Sequence, residues 1–168
     1  MTGDDTSILS SLEDIFQKDF RGDRGKSTDI RLLAGPTNAR ERFTHFLDVS
    51  RKTIDIYAPD FSDFGMIAEL QKLCSQGKNI HLLLARYSDE QKQKTDYGRC
   101  ISVRYMKKPL HAKVLLRDKN TAFVGSFNYT KTSLEKNREI GLFLSGKDVE
   151  SISQTFESDW KQAEVALP

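Results

Sequence analysis

A single α/β domain on a mixed sheet is the fold class this sequence predicts, and three observations carry the prediction. Between residues 30 and 85, short aliphatic and β-branched runs alternate with longer segments whose apolar residues recur at helical spacing, the pattern of strand–helix–strand units. Further on, two apolar runs, 111–117 and 121–124, are separated only by Asp118-Lys119-Asn120, so that pair must be an antiparallel hairpin. A chain of 168 residues, 38% hydrophobic and 30% charged, fits one soluble domain that buries a core without staples.

Taken in order, Ile8, Leu9, Leu12, Ile15 and Phe16 predict an amphipathic helix over 7–20, followed by a polar loop to residue 28. Arg21-Gly22-Asp23 is a common tripeptide, and Gly25-Lys26-Ser27 lacks the glycine a phosphate-binding loop needs five residues earlier, where Phe20 stands; both read as loop. Residues 1–28 therefore form an N-terminal helix and loop, and 29–168 the main domain. That domain reads as a strand at 30–34, a helix at 38–51, a strand at 53–58, a helix at 62–76 stopped by Gly77, and a strand at 79–85 with His81 as a core or edge histidine. Residues 87–99 have no apolar period and predict a surface loop able to touch substrate. A strand at 101–106, the hairpin, a short helix at 130–136 and a strand at 139–144 follow. Val149, Ile152, Phe156 and Trp160 then give the last helix its buried stripe. There is no internal repeat.

Composition excludes several classes of function. No segment approaches eighteen consecutive apolar residues, and residues 1–7 carry acids rather than a basic and apolar leader, so neither a membrane span nor a secretory signal is expected and the default location is cytoplasmic. Cys74 and Cys100 lack the spacing of a zinc site; they could pair if their sulfurs met, but two free buried thiols of a reducing compartment are the expectation. The formal charge of +2 is unevenly placed: residues 99–139 hold ten Lys or Arg against three acids, whereas residues 1–20 hold one Lys against five. Within the basic stretch Lys107, Lys108, Lys131, Lys136 and Arg138 suit a polyanionic substrate.

The chemistry concentrates between residues 111 and 128, which read His111-Ala112-Lys113, four residues, Asp118, six residues, Gly125-Ser126-Phe127-Asn128. Six specified residues at these positions arise by chance about once in a million such chains. Residues two apart on a strand share a face, so His111 and Lys113 emerge together, and the hairpin returns Ser126 and Asn128 beside them. Gly125 suits a sharp bend or a close backbone approach. An imidazole, an ammonium and a carboxamide at one spot suit a phosphoryl group. The imidazole attacks phosphorus while the other two hold the non-bridging oxygens whose charge must be stabilised. No carboxylate cluster accompanies them, so the lysine stands in for a metal, and neither metal nor cofactor is expected. Glu139, opening an apolar strand, is the acid best placed to orient the imidazole.

These residues resemble the signature of the phospholipase D superfamily, HxK, four residues, D, six residues, GSxN. The run from Gly125 to Lys131, with Asn137 and Glu139 after it, looks most like the small single-motif bacterial endonucleases of that superfamily. The resemblance extends more loosely through Asn38-Ala39-Arg40-Glu41-Arg42 and Ile54-Asp55-Ile56-Tyr57-Ala58-Pro59, over roughly 29–161. It implies a mixed sheet flanked by helices and a phosphohistidine on His111. It further implies phosphate binding by Lys113 and Asn128, support from Ser126, a hydrogen bond from Glu139 to the histidine, and a structural place for Asp118 and Gly125. One copy of the motif gives one histidine, whereas displacement at phosphorus needs a second group to protonate the leaving oxygen; His45 and His81 lie in unrelated elements. The resemblance resolves this through a homodimer in which the two copies of His111 meet across a two-fold axis, unless the chain is half of a longer polypeptide that carries two motifs. The expected activity is metal-independent phosphodiester cleavage in nucleic acid. The alternatives are phospholipid hydrolysis or phosphatidyl transfer, as in cardiolipin synthases, with a phospholipid partner, and a nucleic-acid-binding module without turnover.

Overall fold

The computed structural model describes residues 5–85 and 95–165. Its elements run α1 (Asp5–Phe20), β1 (Leu32–Ala34), α2 (Ala39–Asp48), β2 (Thr53–Ala58), α3 (Phe64–Ser75), β3 (Asn79–Leu84), β4 (Ser102–Tyr105), β5 (Val114–Arg117), β6 (Thr121–Gly125), α4 (Lys131–Glu135), β7 (Ile140–Ser145), α5 (Lys147–Gln162) and β8 (Glu164–Val165). The strands form an eight-stranded mixed sheet of order β1-β7-β6-β5-β2-β3-β4-β8. Strands β2, β3 and β4 are parallel, while β5, β6 and β7 alternate in direction, β5 and β6 joined by a short turn and β6 and β7 by the segment that holds α4.

Alternation along β2 sorts the layers. Ile54, Ile56 and Ala58 face α2 and α3, packing with Phe43, Leu47, Met66 and Leu70, whereas Tyr57 faces α5 and packs with Val149 and Phe156. Under the loop that follows β6, the buried ring of Phe43 meets Phe123, Phe127 and Tyr129 edge-on, with centroids 4.8, 5.1 and 5.6 Å away. Each such aromatic pair contributes about 0.5–1.5 kcal/mol beyond area burial. That cluster is the rigid floor on which residues 125–129 sit. Helix α3 starts at a true cap, Asp63, whose carboxylate accepts the Met66 N–H at 2.9 Å.

The structure differs from the sequence reading in several places. Strand β1 begins at Leu32 because the Asp29 carboxylate accepts the Arg31 N–H at 2.8 Å and the Asp29 carbonyl accepts the Leu32 N–H at 3.1 Å, which curls residues 29–31 into a turn. The edge pair β8, two residues set antiparallel against β4, carries no periodic signal and was not foreseen. Of the predicted 87–99 loop, residues 87–94 lie outside those described. On α1 one stripe is covered, Ile15 packing with Leu32 and Ala34, while Leu9, Phe16 and Phe20 remain 63, 64 and 81% exposed.

The expectation of two free thiols is overturned. Cys74 in the last turn of α3 and Cys100 in the segment before β4 are joined as a disulfide, with Cα atoms 6.1 Å apart. Parallel pairing of β3 with β4 draws the segment before β4 against the end of α3, a proximity that a spacing of 26 residues does not announce. Such bonds are commonest in oxidising compartments, and nothing in the structure bears out a cytoplasmic location. No helix among the described residues is long and apolar enough to cross a membrane.

Candidate active site

Three antiparallel neighbours bring their ends together. With Val114 opposite Val124 and Gly125 opposite Gly141, the start of β5, the end of β6 and the start of β7 share one end of the sheet. The residues just outside those ends are therefore adjacent: His111 and Lys113, Ser126 and Asn128, and Glu139. The approach is tight enough to require glycine, since a Cβ on Gly125 would lie 2.6 Å from the Ile140 carbonyl oxygen and 2.8 Å from the Gly141 Cα.

His111 is exposed, while Lys113 is 6% exposed beside it. The Lys113 Nζ donates to the His111 carbonyl at 2.9 Å and lies 3.3 Å from each ring nitrogen. Burial pushes the Lys113 ammonium below its usual range, and the charge of Glu139 pulls the other way. The Glu139 carboxylate, 8% exposed, accepts from the Ser126 hydroxyl, from the Ser133 hydroxyl at 2.8 Å and from the Asn137 amide at 3.2 Å. Ser126 Oγ in turn accepts the Ile140 N–H at 3.0 Å, and Ser133 Oγ accepts the Asn128 N–H at 3.0 Å. One buried carboxylate thus ties the GSxN loop, the start of α4 and the start of β7 into a single network.

The expected residues come together unequally. His111 pairs with Lys113, and Ser126 with Glu139. The hydrogen bond expected from Glu139 to His111 is not made within the chain, because the carboxylate is engaged by Ser126, Ser133 and Asn137. The Asn128 carboxamide has no hydrogen-bond partner among the described residues. Its neighbour Tyr129 sits in the left-handed region at φ 53°, fully buried, which turns the chain sharply between the loop and α4. Lys107, Lys108, Lys131 and Lys136 are exposed and make no ion pair among the described residues. Arg138 is not free for substrate: its guanidinium donates to Asp19 at 2.6 and 3.0 Å and to the carbonyls of Gly25 and Gly35 at 2.7 Å each. Asp118 lies at the opposite end of β5, where its carboxylate accepts the backbone N–H groups of Arg51, Lys52 and Thr53. His45 is exposed in the last turn of α2, and His81 faces Asp55 at 2.7 Å and Trp160 on the α5 side of the sheet.

Two supporting groups escaped the sequence reading. Ser133 shows only as the third residue after the helix cap Thr130, which accepts its N–H at 3.2 Å; nothing local says that its hydroxyl reaches Glu139. Arg40 donates to both oxygens of Asp63, at 2.5 and 2.7 Å, and to Glu135 at 2.8 Å, joining α2, α3 and α4 behind the loop. Burial would raise the Asp63 carboxyl, but Arg40 and the Met66 N–H hold it below its usual value. Among the described residues no three His, Cys, Asp or Glu gather as metal ligands.

Known structures share this arrangement of elements. The Nuc protein of Salmonella typhimurium, described as a phospholipase D family member, superposes with a TM-score of 0.69 at 22% identity over 82% of this chain and 97% of its own. NucT from Helicobacter pylori gives 0.67 at 14% identity, covering 80% and 97%. A phosphatidylserine synthase from Haemophilus influenzae gives 0.64 at 12% identity, covering 81% of this chain and 39% of that one. No curated protein sequence matches the chain. Residues 43–160 match the family model described as cardiolipin synthase, PLD-like domain, and with its mixed sheet and the HxK and GSxN elements at one sheet end, the chain belongs to the phospholipase D superfamily.

Proposed function

We propose that this protein is a phosphodiesterase that cleaves nucleic acid, DNA or RNA, through a covalent phosphohistidine in a site shared by two subunits. In the first step a ring nitrogen of His111 bonds to phosphorus as the bond to the leaving oxygen breaks, and His111 of the partner subunit gives that oxygen a proton. In the second, water attacks phosphorus, yields a proton to the same imidazole, and the phosphorus–nitrogen bond breaks. Lys113 and Asn128 bind the non-bridging oxygens, the ammonium taking the place a divalent cation fills elsewhere. Glu139 acts at one remove, keeping Lys113 charged and Ser126 in position.

The observation that carries this reading is the buried ammonium of Lys113 beside an exposed imidazole, at the sheet end that also holds Ser126, Asn128 and Glu139. The basic stretch with exposed Lys107, Lys108 and Lys131 supports a polyanionic substrate. Support for the dimer comes from the single copy of the motif, since one chain supplies one His111 and the second imidazole must come from a partner subunit. Phosphatidyl transfer is the second reading, favoured by the exposed Leu9, Phe16 and Phe20 of α1, which could rest on a lipid surface.

Purified protein incubated in EDTA with plasmid DNA, RNA and phosphatidylglycerol vesicles separates the readings. Cleavage of either polymer, lost in His111→Ala, is expected. Turnover of lipid alone establishes the second reading, and no turnover of any substrate leaves only a binding module.

A further inference from the structure

Two clefts lie at the other end of the sheet from His111. One, of about 440 Å³, opens between α2 and the ends of β5, β6 and β7, and among its lining residues are Ile30, Arg42, His45, Phe46, Arg117 and Phe143. Its size falls in the range of sites that enclose a small organic group, roughly 300–1,000 Å³. The floor is aromatic, the rings of Phe46 and Phe143 lying 5.5 Å apart. A guanidinium covers each ring, Arg42 at 4.5 Å from Phe143 and Arg117 at 4.8 Å from Phe46. Neither arginine forms an ion pair among the described residues. Arg42 donates to the carbonyls of Leu32 and Ile30, and Arg117 to the Phe46 carbonyl and Thr121 hydroxyl at 3.3 Å each. Burial pushes the Arg42 guanidinium below its usual range, so a bound anion would stabilise it. Glu41 is the acid among the lining residues, and it stands at the exposed rim.

A second cleft, of about 670 Å³, adjoins the first through Arg117 and Thr121 and adds Arg51, Lys52 and Lys119. The one carboxylate lining it, Asp118, is turned onto the backbone N–H groups of residues 51–53, and Lys119 pairs with Glu157, which leaves Arg51 and Lys52 without an ion pair among the described residues. Two guanidinium planes backed by aromatic rings, without an ion pair among the described residues and continuous with a polar basic cleft, match a flat ring joined to phosphates. A duplex keeps its bases stacked inside, so only an unpaired base can stack on those guanidinium planes.

We propose that this end of the sheet is a second binding site for single-stranded nucleic acid, one base stacking on the guanidinium planes of Arg42 and Arg117, which cover the rings of Phe143 and Phe46, and the adjoining phosphates meeting Arg51 and Lys52. The proposal rests on the nucleic-acid reading above and adds the strandedness of the substrate. Arg117 is four residues along β5 from Lys113, about 13 Å at the rise of a strand, so the site anchors substrate at a distance from the reacting phosphate.

Binding is measured by fluorescence anisotropy of a short labelled oligonucleotide on full-length His111→Ala protein, which cannot turn it over. Arg42→Gln and Arg117→Gln are each expected to weaken binding about tenfold, the loss of one stacked base or one phosphate contact. Ile30→Glu and His45→Glu, at exposed lining positions that do not bear on folding, are expected to weaken it similarly by repelling phosphate. A nucleoside monophosphate should compete at lower concentration than inorganic phosphate, and a duplex of the same sequence should bind more weakly. Affinity within twofold of the parent in both Ile30→Glu and His45→Glu overturns the proposal, as do equal competition by phosphate and preference for duplex. Failure of the catalytic reading shows separately, as wild-type protein that binds the oligonucleotide through these residues without cleaving it.

Discussion

Asp118 offers the sharpest test of how the hairpin is held. Its Oδ2 accepts the Arg51 N–H at 2.8 Å, and its Oδ1 accepts the N–H groups of Lys52 and Thr53 at 2.7 and 3.0 Å. Its own N–H donates to the Thr53 carbonyl at 2.9 Å, so one side chain and its backbone fasten the β5–β6 turn to the start of β2. Hydrogen bonds to a charged group contribute about 1.5 kcal/mol each at the low end, or about 4.5 kcal/mol for three. Arg51 and Lys52 are exposed and their N–H groups regain water, which reduces the loss to about 3 kcal/mol. Asp118 also has φ 52°, where alanine adds about 1 kcal/mol of left-handed strain. Asp118→Ala should therefore lower Tm by about 8–16 °C, at about 2–4 °C per kcal/mol for a chain of this size. Asp118→Asn keeps the left-handed preference and one acceptor oxygen and should lose less than half of that.

The same contact predicts a pH dependence. Burial would raise the Asp118 carboxyl, but the three backbone N–H groups hold it below its usual value. The unfolded chain then binds more protons than the folded one in the acid range. The stabilisation is complete above the unfolded value of about 3.9 and is lost as pH falls through the folded value. The gap between wild type and Asp118→Ala, followed by thermal or urea unfolding, should be constant near neutrality and narrow below about pH 4. A Tm within about 2 °C of wild type at pH 7 would refute the reasoning. So would a fall in kcat with unchanged Tm, since Asp118 is remote from His111.

Tyr129→Phe removes a fully buried hydroxyl that has no hydrogen-bond partner, and should raise stability by about 1 kcal/mol in urea titration; a loss of stability would show that the hydroxyl is satisfied. Reduction of the Cys74–Cys100 bond, which closes a loop of 26 residues, should cost about 3.5 kcal/mol by loop entropy, read as a Tm drop on adding reductant that Cys74→Ser lacks; equal sensitivity in the variant contradicts this. Burial holds Lys113 below the usual lysine value, so kcat should fall on an alkaline limb that begins below about pH 10.4, as the ammonium is lost. In the same window between folded and unfolded values, the unfolded chain binds the extra proton and stability rises with pH. Lys113→Arg should remove the limb while lowering kcat, and a limb at the ordinary lysine value would count against a buried ammonium. Light scattering at assay concentration should show the proposed dimer, and a fully active monomer would remove the proposed shared site.

What could be read from the sequence alone is what short-range geometry controls. Strand alternation and a three-residue turn suffice to return Ser126 and Asn128 to the end of the strand that carries His111 and Lys113, so the spacing of the motif already contains the core of the site. The helices α2 and α3 and the strands β2 and β3 follow from apolar periods whose burial needs no knowledge of distant chain. Tertiary structure alone decided the partners of groups that lie far apart in sequence. Glu139 met Ser126 and Ser133 because β7 paired with β6 and α4 folded back over it, Arg138 met Asp19 across 119 residues, and Cys74 met Cys100 once β4 joined β3. Hydrogen bonds, ion pairs and disulfides of this kind depend on which strands become neighbours, and strand order is set by the burial of the whole sheet rather than by any local signal.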